Sequence, residues 1–132
     1  MREHAATPAS VESPYKGKTG LRRIWNAFCY SLDGFAAALR VEDAFRQEVL
    51  LALVLIPLAF YLPATGAGKA LRVAAVLLVL IVELLNSAIE AVTDRVSLED
   101  HALAKRAKDM GSAAVMLSLI GVPAVWLLVS FG

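Results

Sequence analysis

Glu83, Asn86, Ser87, Glu90 and Asp94 fall within twelve residues of an otherwise apolar stretch. On a helix turning about 100° per residue, Glu90 lies about −20° and Asp94 about +20° from Glu83. Ser87 falls near +40° and Asn86 near −60°, so the five make one narrow polar stripe. The residues between them are Leu, Ala, Ile and Val, with Thr93 the exception. Glu83 and Glu90 stand about 10 Å apart along the helix axis at 1.5 Å per residue. In lipid surroundings an ionised carboxylate is costly and requires a partner, a metal or water.

Two readings of the stripe compete. In one it is a packing device, with Asn and Ser bridging helices and the acids paired to Arg or Lys. In the other it is a carboxylate site for a cation or a proton. Glu83, farthest from the headgroups, suits a general base. Glu90, nearer them, suits a hard cation held through oxygen, as magnesium prefers. Glu42, just ahead of the first apolar stretch, can complete such a site; taken alone it is an interfacial charge.

Lys105, Arg106, Lys108 and Asp109 precede Gly111 and Ser112. A basic cluster at a helix end near the membrane surface can hold phosphate, or it can simply mark topology. Other phosphate motifs fail. Gly17-Lys18-Thr19 has Glu12 where a P-loop needs its first glycine, and Gly68-Lys69 has Pro63 there and Ala70 in place of Ser or Thr. His4 and His101 have no metal-ligand spacing, and no Ser-His-Asp set is visible. Cys29 is the one cysteine, so no intrachain disulfide forms and its reading is a small buried hydrophobe.

The elements that must carry these residues follow from composition. Hydrophobic residues make up 58% of the chain and charged residues 19%, and mean hydropathy is +0.64. A soluble domain this small cannot cover so much apolar surface, and disorder needs low hydrophobicity. Residues 49–68, 73–82 and 110–132 carry no charge. A bilayer core of about 30 Å needs about 20 helical residues. The sequence therefore predicts three transmembrane helices near 44–62, 70–94 and 108–131, with a turn at Pro63, Thr65, Gly66 and Gly68 and a polar connection from Arg95 to Lys108. Ahead of them, Leu21, Ile24, Trp25, Phe28, Leu32, Phe35, Ala36 and Leu39 recur at helical spacing. Arg22, Arg23, Asn26, Asp33 and Arg40 fall largely off that stripe, which predicts an amphipathic surface helix over about 21–40. Residues 1–20 contain Pro8, Pro14 and Gly17 and lack an apolar core, so they read as a flexible tail rather than a signal peptide.

Lys and Arg sort into eleven on one side of the spans and two, Lys69 and Arg72, on the other. The positive-inside rule then puts the N-terminus and second connection in the cytoplasm and the C-terminus outside. A net charge of +1 gives no argument for nucleic-acid binding.

The segments Glu83-Leu-Leu-Asn-Ser-Ala-Ile-Glu-Ala-Val-Thr-Asp94, Ala107-Lys-Asp-Met-Gly-Ser-Ala-Ala114 and Glu42-Asp-Ala-Phe-Arg-Gln-Glu48 resemble the small bacterial membrane diacylglycerol kinases. The likeness runs from about Leu21 to Gly132. Thr93 stands where the family usually has valine, Asp33 where lysine is common and Ala36 where arginine is. The resemblance implies an all-α integral membrane protein, a surface helix plus three transmembrane helices, assembling as a homotrimer with composite active sites in the bacterial inner membrane. Three helices are in any case too few to enclose lipid, ATP and metal.

The activity it implies is ATP-dependent phosphorylation of the sn-3 hydroxyl of diacylglycerol to phosphatidic acid. By the same resemblance Glu83 is the base, and Glu42 and Glu90 are magnesium ligands that also contact ATP. Arg23, Tyr30, Glu99, Asp100, His101, Lys108 and Asp109 are further ATP contacts, with Asn86 and Asp94 supporting. Ala44, Phe45, Arg46, Gln47, Glu48 and Ser112 adjoin the lipid, together with Glu83. Within the same fold, an undecaprenol kinase is the alternative; Phe45-Arg46-Gln47-Glu48 and Met110-Gly111-Ser112 resemble the diacylglycerol branch more. A non-catalytic membrane trimer that uses the stripe as a polar lining is the alternative of another class.

Overall fold

A computed structural model describes residues 20–96 and 101–132. The expected tail through residue 19, and Glu99 and Asp100, lie outside the described residues. All the described regular structure is helical: α1 (Leu21–Val41), α2 (Asp43–Tyr61), α3 (Gly66–Val96) and α4 (His101–Phe131). Three of them, α2, α3 and α4, are long and apolar enough to cross a membrane. Two compact units divide the chain, Met1–Phe35 and Ala36–Gly132.

In the first unit, Gly20 adopts φ +73°, the left-handed region that favours glycine, immediately before α1 begins. Leu21, Ile24, Trp25 and Phe28 are all exposed along one face, and the Trp25 and Phe28 rings lie 5.8 Å apart. That is the apolar face expected of a surface helix.

In the second unit α3 packs against both α2 and α4. Helix ends are set by local chemistry. Leu62 is extended (ψ 136°), as the residue before Pro63 must be, and α2 stops there. Thr65 starts α3: its Oγ1 accepts from Gly68 N at 3.1 Å and its carbonyl from Lys69 N at 3.0 Å, a threonine N-cap. A Cβ on Gly68 would come within 2.8 Å of Val129 Cγ1, so this glycine lets the start of α3 and the end of α4 approach closely.

Arg72, only 1% exposed, lies under that turn. Its guanidinium donates to the carbonyls of Leu62 (3.0 Å), Pro63 (3.4 Å) and Ala59 (3.5 Å), and to Ser130 Oγ (3.0 Å). It also sits 5.6 Å from the Trp126 ring centre, and Trp126 Nε1 donates to the Arg72 carbonyl at 3.3 Å. The last carbonyls of α2 have no helical partners, and a buried cation there supplies them and opposes the helix dipole.

Helix ends depart from the sequence expectation chiefly at α4. It starts at His101, seven residues before the predicted 108, and α3 runs from 66 to 96 rather than 70 to 94. Hydropathy marks where lipid contact begins, whereas Ala102, Leu103, Ala104 and Lys105 are strong helix formers that extend the helix beyond it. Much of the expected polar connection is therefore helix, and Gly111 and Ser112 lie well inside α4 rather than at its start.

Candidate functional site

Glu42 occupies the N-cap position of α2 in an extended conformation (φ −105°, ψ 108°), yet its carboxylate caps nothing. Arg46 holds that corner instead. It pairs with Asp43 and donates to the carbonyls of Leu39 (3.0 Å) and Arg40 (2.9 Å) at the end of α1. The corner is thus built without the Glu42 carboxylate, which is left available for other work.

On α3 the polar stripe turns inward as the spacing requires. Glu83 is 5% exposed and Asn86 8%, while Glu90 is half-buried and Asp94 exposed. The Glu83 carboxylate has no hydrogen bond among the described residues, and the charges of Glu42 and Glu90 both act on it. Glu83 in turn acts on Glu48, half-buried one turn into α2. Glu48 lines an apolar recess of about 160 Å³ with Leu51, Leu55, Val76, Leu119 and Pro123, and one of its oxygens is buried without a hydrogen bond. Glu83 thus feels acids from the start and first turns of α2 as well as from its own helix, which α3 alone could not arrange.

Two supports surround them. Asn86 Nδ2 donates to Glu90 Oε1 at 3.4 Å, and Thr93 Oγ1 to the Glu90 carbonyl at 3.1 Å. Lys108 Nζ, on α4, donates to Asp94 Oδ1 at 2.7 Å. This pair joins the outer end of the stripe to the basic cluster. The cluster itself is divided. Lys105 pairs with Asp109 at 2.6 Å along α4, and these two line a shallow recess with Arg106 and Met110, whereas Lys108 reaches α3.

The remaining expected residues are more scattered. His101 is exposed at the start of α4 and Ser112 is exposed in its interior. Ala44, Arg46 and Gln47 are exposed, but Phe45 is 1% exposed and belongs to the core. Arg23 and Tyr30 are exposed on α1 within the first unit. Cys29 is a free, half-buried thiol rather than a fully buried one. The residue that sequence reasoning passed over is Gly111, which abuts Asn86 so closely that a Cβ there would overlap Oδ1. A glycine within a helix signals close approach, but only the packing of α3 on α4 says against what.

No three His, Cys, Asp or Glu side chains among the described residues converge closely enough to hold a metal by themselves. Magnesium, however, is commonly held by one or two carboxylates plus substrate phosphates. Glu42, unused as a cap, and Glu90, oriented by Asn86, are hard oxygen donors that fit that arrangement.

The family model for prokaryotic diacylglycerol kinase matches residues 29–130. A diacylglycerol kinase of Pseudomonas aeruginosa is 59% identical over 120 residues, covering 91% of this chain and 98% of that protein. One from Haemophilus influenzae is 49% identical over 108 residues, covering 82% and 92%. One from Escherichia coli K12 is 47% identical over 108 residues, covering 82% and 88%.

Proposed function

Because this chain belongs to the prokaryotic diacylglycerol kinase family, and is an enzyme of it, we propose that it transfers the γ-phosphoryl group of ATP to the sn-3 hydroxyl of 1,2-diacyl-sn-glycerol. The products are phosphatidic acid and ADP. The observation that carries this reading is the Glu83 side chain, 5% exposed, with no hydrogen bond among the described residues and with the charges of Glu42 and Glu90 acting on it. A structural carboxylate at that depth would have a cation or a donor against it. One surrounded by other acids is suited to a proton and a metal–phosphate.

Glu83 accepts the proton of the lipid hydroxyl as its oxygen attacks phosphorus, and the bond from phosphorus to the β,γ-bridging oxygen breaks in line, leaving ADP. No phosphoenzyme is required. Glu42 and Glu90 would hold magnesium with the nucleotide phosphates, and the ion would supply charge neutralisation there. Lys108, steered by Asp94, offsets further phosphate charge, and Arg23, Tyr30, Glu99, Asp100, His101 and Asp109 complete the nucleotide contacts. The lipid lies along Ala44 to Glu48 and Ser112, with Phe45 shaping the site from within the core. Positioning and charge neutralisation supply most of the catalysis in such transfers.

The enzyme works at the cytoplasmic face of the bacterial inner membrane, as a homotrimer whose subunits complete one another's sites. The N-terminus is cytoplasmic and the C-terminus outside. The unequal burial of the stripe supports this assembly: Glu83 is 5% exposed, whereas the Lys108 and Asp94 side chains at its outer end are 43% and 66% exposed.

The test is ATP consumption by purified protein in mixed micelles with magnesium and dioleoylglycerol, beside Glu83→Gln. Phosphatidic acid from the parent and none from a folded variant is the expected result. Product from undecaprenol but not from diacylglycerol would move the chain to the sister activity. An isolated phosphoenzyme would overturn direct transfer, and no turnover with either lipid would leave the stripe as a structural lining.

A further inference from the structure

Beside the acids, Gly111 of α4 lies directly against Asn86 of α3. Asn86 is 8% exposed, and its amide has two ends with different fates. Nδ2 donates to Glu90 Oε1 at 3.4 Å. Oδ1 is buried with no hydrogen-bond partner and lies against Gly111. Only the nitrogen end can donate to a carboxylate, so the contact with Glu90 dictates that the oxygen faces α4. A side chain at 111 would occupy the place of that oxygen. The site thus keeps a buried polar atom unsatisfied, which is unfavourable, in exchange for the orientation of Asn86.

We infer that Gly111 is a positioning residue: by lacking a side chain, it lets the Asn86 amide lie against α4 with Nδ2 turned to Glu90, and so aims the Glu90 carboxylate at the metal–nucleotide. The inference rests on the proposed role of Glu90 in holding magnesium with ATP. The physical argument is one of compliance. A methyl at 111 meets the terminal amide of Asn86 first, with Cγ at 3.3 Å and Cβ at 3.9 Å behind it. Rotating that amide relieves the overlap without moving either backbone, because the amide is the free end of the side chain. The helix pair therefore survives the substitution, and the loss falls on the hydrogen bond to Glu90. Partners that orient a metal ligand in this way change metal affinity by about 10- to 100-fold when removed.

The matched control lies ten residues along the same helix. A Cβ on Gly121 meets nothing within 4 Å, so Gly121→Ala makes the same chemical change in open space. The experiment is Mn²⁺ binding to purified full-length protein with a non-hydrolysable ATP analogue, followed by electron paramagnetic resonance. Parent, Glu90→Gln, Gly111→Ala, Gly121→Ala, Asn86→Ala and the Asn86→Ala/Gly111→Ala pair are compared. Parent binding that Glu90→Gln weakens is expected first; if Glu90→Gln leaves binding intact, the metal reading fails and this inference falls with it. Gly111→Ala should then weaken Mn²⁺ binding by about tenfold or more, with Gly121→Ala at the parent value. In the Asn86→Ala background, which has room for a methyl, Gly111→Ala should add nothing. That double variant stays informative even where Gly111→Ala alone folds poorly. A further loss in that background, or parent-like binding by a folded Gly111→Ala, overturns the inference while leaving the proposed function standing.

Discussion

Two charged side chains on one face of α3, Arg72 and Glu83, are both removed from solvent, and they are treated in opposite ways. Eleven residues separate them, about 16 Å along the helix and about 20° around it. Arg72 is supplied with three carbonyls, a serine oxygen and an aromatic face. Glu83 has no hydrogen bond among the described residues and two acids acting on it. Burial alone therefore does not say how a charge is accommodated. What distinguishes them is what the surroundings supply: acceptors for the two terminal nitrogens of Arg72, although its Nε is buried without a partner, and like charges for Glu83. Arg72 closes a helix end, and Glu83 is the carboxylate proposed above to take the lipid proton.

The contrast breaks most sharply at its acid end. Glu83→Gln keeps the shape and removes the proton acceptor, so turnover should drop by about 10²- to 10⁴-fold, while assembly measured by size exclusion in detergent stays that of the parent. A comparable loss of assembly would make Glu83 a second Arg72. Arg72→Leu should do the reverse. Stripping the donors from the end of α2 leaves buried carbonyls unmet, at about 1–3 kcal/mol, visible as an earlier unfolding transition in SDS titration. The protein that remains folded should turn over as the parent does.

Thr65→Ala tests whether the turn above Arg72 is held by the cap as well as by the guanidinium. About 1 kcal/mol of stability should go with the hydroxyl, read by the same titration, with no change in nucleotide affinity. The smallest effect belongs to Lys105→Gln. Its pair with Asp109 is solvent-exposed on α4, and such pairs contribute little. ATP dependence and unfolding should both match the parent; a raised KM for ATP would bring the Lys105–Asp109 face into the nucleotide site.

The acid end of this contrast was legible beforehand and the arginine end was not. A seven- and eleven-residue spacing of acids is enough to put Glu83, Glu90 and Asp94 on one face, and the three apolar stretches located α2, α3 and α4 to within a few residues apart from the start of α4. Arg72 counted only as a positive charge on the far side of the spans. Its role depends on where α2 stops and on Trp126 and Ser130, which are more than fifty residues away. Lys108 with Asp94, and Gly111 with Asn86, are likewise contacts between helices, set by how α4 is rotated against α3. Periodicity within either helix carries no information about that rotation. Phe45 shows the same gap from the other side: nothing in its sequence neighbourhood marks it as one of the most buried side chains, which packing makes it.

The unequal lengths of the spans have a mechanical consequence. α2 has 19 residues, whereas α3 and α4 have 31 each, or about 28 Å against about 46 Å at the α-helical rise. The hydrocarbon layer is about 30 Å thick. The two long helices can meet a thicker or thinner bilayer by tilting or by protruding, but the short one has no length in reserve. Added thickness must be taken up by drawing an end of α2 inward or by compressing the lipid around it, at fractions of a kcal/mol per ångström. Glu42 stands at one of those ends, so bilayer thickness becomes a variable that bears on its depth relative to Glu83 and Glu90.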